Sequence, residues 1–145
     1  MSTDVQGKTR RLVELAEQDP LRHPALSSLA LHDYEYRAPP FLREIMGSVY
    51  KALEHPDDHP RRLARIYPRE HGKSETGSHV IPSWAALRDP NIRVLILMES
   101  ESSAKEKLRQ CRNTINDHGP KFGRQIEEDN ATNLTLQRTA NHAEP

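Results

Sequence analysis

Cysteine is nearly absent from this 145-residue chain. Cys111 stands alone, which excludes an internal disulfide framework and any multi-cysteine zinc site and suits a reducing compartment. Long apolar runs are absent too. The longest, Val94 to Met98, is far too short to cross a bilayer, and no secretory apolar core follows the charges near the N-terminus, so a cytoplasmic protein without a membrane partner is expected. Aromatic residues make up 5% of the chain and hydrophobic residues 34%; with glycine the apolar share reaches about 38%, against roughly 45–50% in ordinary globular domains. The chain is short of core material. Its apolar faces are expected to be completed by a partner chain or by sequence beyond this one.

What is present is charge, and its distribution is uneven. Residues 1–60 carry 7 basic and 10 acidic side chains, residues 61–124 carry 13 and 7, and residues 125–145 carry 1 and 4, so a zero net charge hides a basic middle between acidic ends. That pattern points to a local anion site rather than to a surface coated for nucleic acid.

Hydrophobic spacing and proline divide the chain into elements. Leu12, Val13, Leu15 and Ala16 lie on a charged helix that should stop near Asp19-Pro20. Residues 21–38 read as turn and short helix. Pro39-Pro40 opens a helix whose stripe is Phe41, Leu42, Ile45, Met46, Val49 and Leu53, ending before His55-Pro56. A strand is expected over 62–67, a helix from about Ser74 to Leu87 ended by Asp89-Pro90, and a strand buried on both faces over 93–98. Ser103 to Glu106 has the spacing of a capping box, with Ala104, Leu108, Cys111 and Ile115 as the buried stripe of the helix it opens; Gly119-Pro120 closes that helix. Alternating strands and helices predict an α/β fold with parallel strands and right-handed crossovers.

Gly72-Lys73-Ser74 carries the chemistry. A phosphate-binding loop needs unobstructed backbone N–H groups, an ammonium that reaches the β and γ phosphates, and a hydroxyl for Mg²⁺; glycine, lysine and serine supply these in that order. The expected strand before the tripeptide and helix after it are the setting in which helix N–H groups attract anions. The full Walker A pattern also asks for glycine five residues before Gly72, where Tyr67 stands. An exposed lysine in a glycine turn is therefore the plain alternative.

The run Tyr-Pro-Arg-Glu-His-Gly-Lys-Ser, 67–74, resembles the deviant Walker A of large terminase subunits, the DNA-packaging motors of tailed viruses, whose loop commonly runs Pro-Arg-Gly-x-Gly-Lys-Ser. The likeness continues through 84–96 and 101–109 and covers about residues 60–135. It implies a partial P-loop NTPase domain at 61–145, cut before its Walker B strand, behind a helical lead-in at 1–60. It also implies an ATP and Mg²⁺ site formed by Pro68, Arg69, Glu70, His71, Gly72, Lys73 and Ser74. Lys73 would meet the phosphates, Ser74 would hold Mg²⁺ through its hydroxyl, and Arg69 would act as a charge-stabilising finger. Glu70 departs from the family's frequent glycine. The resemblance further implies double-stranded viral DNA, a portal and a small terminase subunit as partners, and the host cytoplasm as location; self-association of the chain is also expected, through a sheet edge left without its neighbouring strands.

Terminases join an ATPase to an endonuclease, but this sequence shows neither a Walker B nor room for a nuclease carboxylate set, so whether it is an enzyme stays open. Glu99 after the 94–98 run is the nearest approach to a Walker B; it lacks a companion aspartate and lies directly after the loop's own helix. A truncated prophage remnant, or a non-catalytic nucleotide- or DNA-binding protein, is the alternative. Other constellations rank lower. His55 and His59 have i, i+4 spacing that Pro56 and Pro60 interrupt, Cys111 falls on a core stripe, and Tyr34, Tyr36 and Phe41 are candidates for adenine stacking or plain packing. Arg61, Arg62 and Arg65 either touch DNA phosphate or flank a strand.

Overall fold

The structure is a computed structural model and describes residues 2–32, 40–55, 73–130 and 132–137. The chain divides into two compact units, Met1–Thr76 and Gly77–Pro145.

In the first unit three helices follow the proline punctuation of the sequence. Helix α1 spans Ser2–Gln18 and closes where the Asp19 amide reaches the Leu15 carbonyl at 2.9 Å, just before Pro20. Helix α2, Pro24–Leu31, begins with proline in its first turn, where the missing N–H costs no helical bond. His23 caps it: the Ala25 amide donates to His23 Nδ1 at 3.1 Å, and the same ring lies 4.8 Å from the ring of Tyr50. Helix α3, Pro40–Glu54, buries Leu42 and Met46, one turn apart on the expected stripe, while Leu53 at its far end is exposed. Helix α2 packs against both α1 and α3 and buries Pro24, Ala25, Leu26, Ser27 and Ser28.

The second unit is helical around one small hairpin. The first unit ends with a single turn, α4 at Lys73–Glu75, from which the chain continues through a π turn, Thr76–Val80, into α5, Ile81–Arg88, of the second. After a connecting stretch comes α6, Glu101–His118, then a 3₁₀ turn, Gly119–Phe122, and strands β1, Ile126–Asp129, and β2, Leu134–Leu136. Trp84 and Leu87 of α5 are fully enclosed, and Cys111, Thr114 and Ile115 of α6 are buried with them. The C-terminal end of α5 is closed by Arg124, whose Nε donates to the Leu87 carbonyl at 2.9 Å and whose Nη2 donates to that of Arg88 at 3.2 Å. A guanidinium suits this position because the last carbonyls of a helix are unpaired and carry its negative end. Gly119 permits the close return of the chain, since a Cβ there would lie 2.8 Å from the Arg124 carbonyl oxygen.

The expected α/β P-loop domain with a parallel sheet is corrected by these elements. The described residues are mostly helical, and their sheet consists of β1 and β2 alone, antiparallel, so the chain does not have an α/β P-loop fold. Residues 93–98, expected as a strand, form none and lie outside the sheet; the strand expected over 62–67 lies outside the described residues. A strand buried on both faces needs a packed layer on each side. Here Ile96 is half-buried on the side of α6, whereas Leu95 and Leu97 are each 80% exposed.

Two local features also differ from expectation. Helix α6 is capped by Ser100, whose Oγ accepts from the Ser103 amide at 3.2 Å, one turn earlier than the expected capping box, and Glu106 pairs with Arg109 at 2.6 Å instead of reaching back. The hairpin was not signalled by alternation. It depends on Asn130, whose Oδ1 accepts from the Thr132 amide at 3.0 Å and the Asn133 amide at 2.8 Å, a side chain standing in for a backbone turn. Among the described residues no helix is long and apolar enough to cross a membrane.

Leu87→Ala should lower the stability of the second unit by about 2–5 kcal/mol, the usual result of emptying an enclosed site. Leu95→Ala, on the exposed stretch, should change it by less than about 0.5 kcal/mol. Urea titration followed by fluorescence of Trp84, the only tryptophan, measures both. A second expectation concerns pH. Lys105 beside Glu101 and Arg109 beside Glu106 hold both carboxyls below the ordinary value of 4.5, mainly by direct hydrogen bonds. A lowered carboxyl stabilises the folded state above its ordinary pKa, and that contribution disappears as pH falls through the lowered value. Helical ellipticity should therefore decline below pH 4.5, and less so in an E101Q/E106Q double variant.

Candidate functional site

Of the Gly-Lys-Ser sequence, Lys73 and Ser74 are described and are helical. Both lie in the turn α4, Lys73–Glu75. Ser74 is exposed, Glu75 is half-buried and Thr76 is buried, which leaves the Ser74 hydroxyl open to a ligand while the next residues turn inward. Pro68, Arg69, Glu70, His71 and Gly72 lie outside the described residues, as do Tyr34, Tyr36, His59, Arg61, Arg62 and Arg65. A hydroxyl and adjoining N–H groups can take oxygen ligands of a phosphate–Mg²⁺ complex, the hydroxyl serving the metal and the N–H groups the anion.

Immediately after this turn the helix widens into the π turn, and Pro82 supplies the physical reason. Proline has no N–H to donate to the Ser78 carbonyl four residues back, so the α pattern cannot continue through it unaltered. The Cys111 thiol takes up the slack: Sγ lies 3.6 Å from the Ser78 carbonyl oxygen and 3.8 Å from that of His79. Side chains of the same turn are also engaged. His79 Nε2 lies 3.0 Å from Thr114 Oγ1 on α6, and Ser78 Oγ donates to Met98 Sδ at 3.7 Å. The π turn is thereby tied to α6 and to the connecting stretch. Such turns inside helices recur at functional sites.

Cys111 is 3% exposed and spends its S–H on backbone carbonyls, so its chemistry is that of a small core residue rather than of a nucleophile. Glu99 is exposed at the end of the connecting stretch. Phe41 is half-buried on α3. Among the described residues no group of three or more histidines, cysteines or carboxylates is placed to hold a metal ion.

Hollows are present in both units of the described residues. The first unit has a groove of about 520 Å³ with Arg11, Arg22 and Arg43 on its walls, His23 and Tyr50 beside them, and leucine side chains below. In the second unit a cavity of about 300 Å³ is enclosed by α5, the stretch 91–96, α6 and β2, with Cys111 and Ile115 in its lining. The links from His79 to Thr114 and from Arg124 to the end of α5 join residues 35 to 37 positions apart. No local pattern in the sequence announces pairs at that distance.

Cys111 should resist alkylation by iodoacetamide in the native protein and react at the rate of a free thiol once the second unit is unfolded in urea. Mass spectrometry of the labelled peptide reads the difference, and rapid native labelling would refute the packing described.

Comparison with known proteins finds no matching family, no matching curated protein and no matching solved structure.

Proposed function

We propose that this chain binds ATP with Mg²⁺ as part of a viral or proviral terminase large subunit, the subunit that powers DNA packaging into capsids. One observation carries the reading: the Gly72-Lys73-Ser74 sequence runs into a helical turn, α4, in which Ser74 is open to solvent. The likeness of 67–74 to the terminase loop supports the specific assignment. The reading rests on the loop and its helix, not on the sheet.

In this reading Lys73 brings a positive charge to the β and γ phosphates, and the adjoining N–H groups of the helix share the remaining negative charge. The Ser74 hydroxyl is the protein's ligand to Mg²⁺, which when bound neutralises charge on the phosphate oxygens. Arg69 would stabilise charge developing during phosphoryl transfer, and Glu70 must turn away from the phosphates or pair with Arg69. Double-stranded DNA, a portal and a small terminase subunit are the partners that follow from the same assignment.

A second reading is favoured by the two-stranded antiparallel sheet. A protein with the loop and helix, but without a parallel sheet to present catalytic carboxylates, binds nucleotide or DNA without turning over. Binding and hydrolysis measured together separate the two.

Lys73→Ala should weaken Mg-ATP binding at least about tenfold, the value of one charge-assisted hydrogen bond to phosphate. Ser74→Ala should remove most of the Mg²⁺ dependence of binding and leave the helical content unchanged. Titration calorimetry with and without Mg²⁺ reads both, and equal affinity of the parent and the Lys73→Ala chain would end the assignment. Phosphate release by the parent should be negligible under the second reading and should approach about 1 s⁻¹, the low end for phosphoryl-transfer enzymes, only if a catalytic carboxylate completes the site.

A further inference from the structure

Residues 93–99, Arg-Val-Leu-Ile-Leu-Met-Glu, belong to neither helix nor sheet. From Leu95 onward their side chains divide by parity. Leu95, Leu97 and Glu99 are exposed, Leu95 and Leu97 at 80%, while Ile96 and Met98 between them are half-buried; ahead of this alternation Arg93 and Val94 are both exposed. The stretch is held at both ends. At its start the Asn91 amide donates to Asp89 Oδ1 at 2.9 Å and the Ile92 amide to the Asp89 carbonyl at 3.1 Å; at its end Met98 Sδ receives the Ser78 hydroxyl. Along its middle, Val94 and Ile96 line hollows shared with Leu108 of α6. These contacts tether the stretch to the rest of the unit, and a segment already tethered reduces what association must order.

We propose that this stretch is a self-complementary edge through which two copies of the chain pair as antiparallel strands. The sequence is close to a palindrome in chemical character. With the two-fold axis at Ile96, Arg93 of one copy stands opposite Glu99 of the other, Val94 opposite Met98, Leu95 opposite Leu97, and Ile96 opposite itself. Opposite residues in an antiparallel pair have Cβ atoms about 4.5–5.5 Å apart, close enough for every one of these pairs to touch. Both charged pairs are of opposite sign, and the exposed leucines of the two copies cover one another.

No neighbouring register does as well. Moving the axis to Leu95 sets Arg93 opposite Leu97, and moving it to Leu97 sets Glu99 opposite Leu95. Parallel pairing in register would stack arginine on arginine and glutamate on glutamate. Charge thus selects both the direction and the register, and it selects a second copy of this chain as occupant. An unrelated strand would have to reproduce the same order of charges. The proposal is independent of nucleotide binding, because none of these residues belongs to the 68–74 loop.

Sedimentation equilibrium over a range of concentrations, with the full chain and three variants, tests it. The parent should form a dimer. Arg93→Glu alone sets carboxylates against Glu99 at both ends of the pair, and Glu99→Arg alone sets guanidiniums against Arg93, so each should weaken the dimer at least about tenfold. An equimolar mixture of the two variants regains opposite charges at both ends and should dimerise like the parent, as should the R93E/E99R double variant. The mixture contains only the two weakened chains, so its recovery also shows that both are folded. A parent that stays monomeric throughout, or single variants that dimerise as well as the parent, would overturn the proposal.

Discussion

Pro82 has no amide hydrogen, and the second unit is built around the carbonyl that this leaves over. The helix leading into Pro82 cannot keep the α pattern through it, so it widens at Thr76–Val80, and the Ser78 and His79 carbonyls turn to the Cys111 thiol. That contact brings α6 against the π turn. Thr114, one turn further along α6, then meets His79, and Ser78 is in place to hold Met98. A thiol is a weak donor, yet a buried carbonyl with no donor at all costs about 1–3 kcal/mol, so a weak partner is much better than none. The buried cysteine is kept from reactivity by the same geometry that makes it useful.

Where proline and glycine decide backbone geometry, the sequence was readable. Pro20, Pro24, Pro40 and Pro90 bracket α1, α2, α3 and α5 at or next to their observed ends, and Gly119-Pro120 marks the close of α6. These are local effects of a fixed φ or a missing N–H, and they do not depend on the rest of the fold. The β-formers of 93–98 predicted a strand that the structure does not form. A continuous apolar run is equally compatible with burial on both faces and with one face left bare, and the choice depends on how many layers the rest of the chain can supply. The low apolar content already suggested that the supply was short.

The hairpin and the cap of α6 failed for a different reason. Asn130 makes its turn by side-chain bonds to Thr132 and Asn133, while the flanking strands are only 4 and 3 residues long, too short to show alternation. Around α6 three serines at 100, 102 and 103 compete for one capping position. The helix takes Ser100 because starting there adds a turn whose Glu101 pairs with Lys105. Of the candidate site, the helical state of Ser74 onward was legible from the spacing of 74–87. The π turn behind it was not, because its partner Cys111 lies more than thirty residues away.

The shortage of apolar residues connects the fold to the exposed stretch. With one layer of helices to cover it, the second unit can enclose Trp84, Leu87 and Ile115, but Leu95 and Leu97 remain in water. Burying a leucine side chain is worth about 1.5–3 kcal/mol, so two of them left exposed on an unpaired stretch are a sizeable deficit in a unit this small. A soluble monomer would ordinarily place polar residues on the outer face of such a stretch, or a lysine in its middle to discourage pairing. Here the charges stand only at the two ends, with opposite signs and equal distances from Ile96. Placed there they do not discourage pairing; they restrict it to one direction and one register, which turns a bare edge into a selective one.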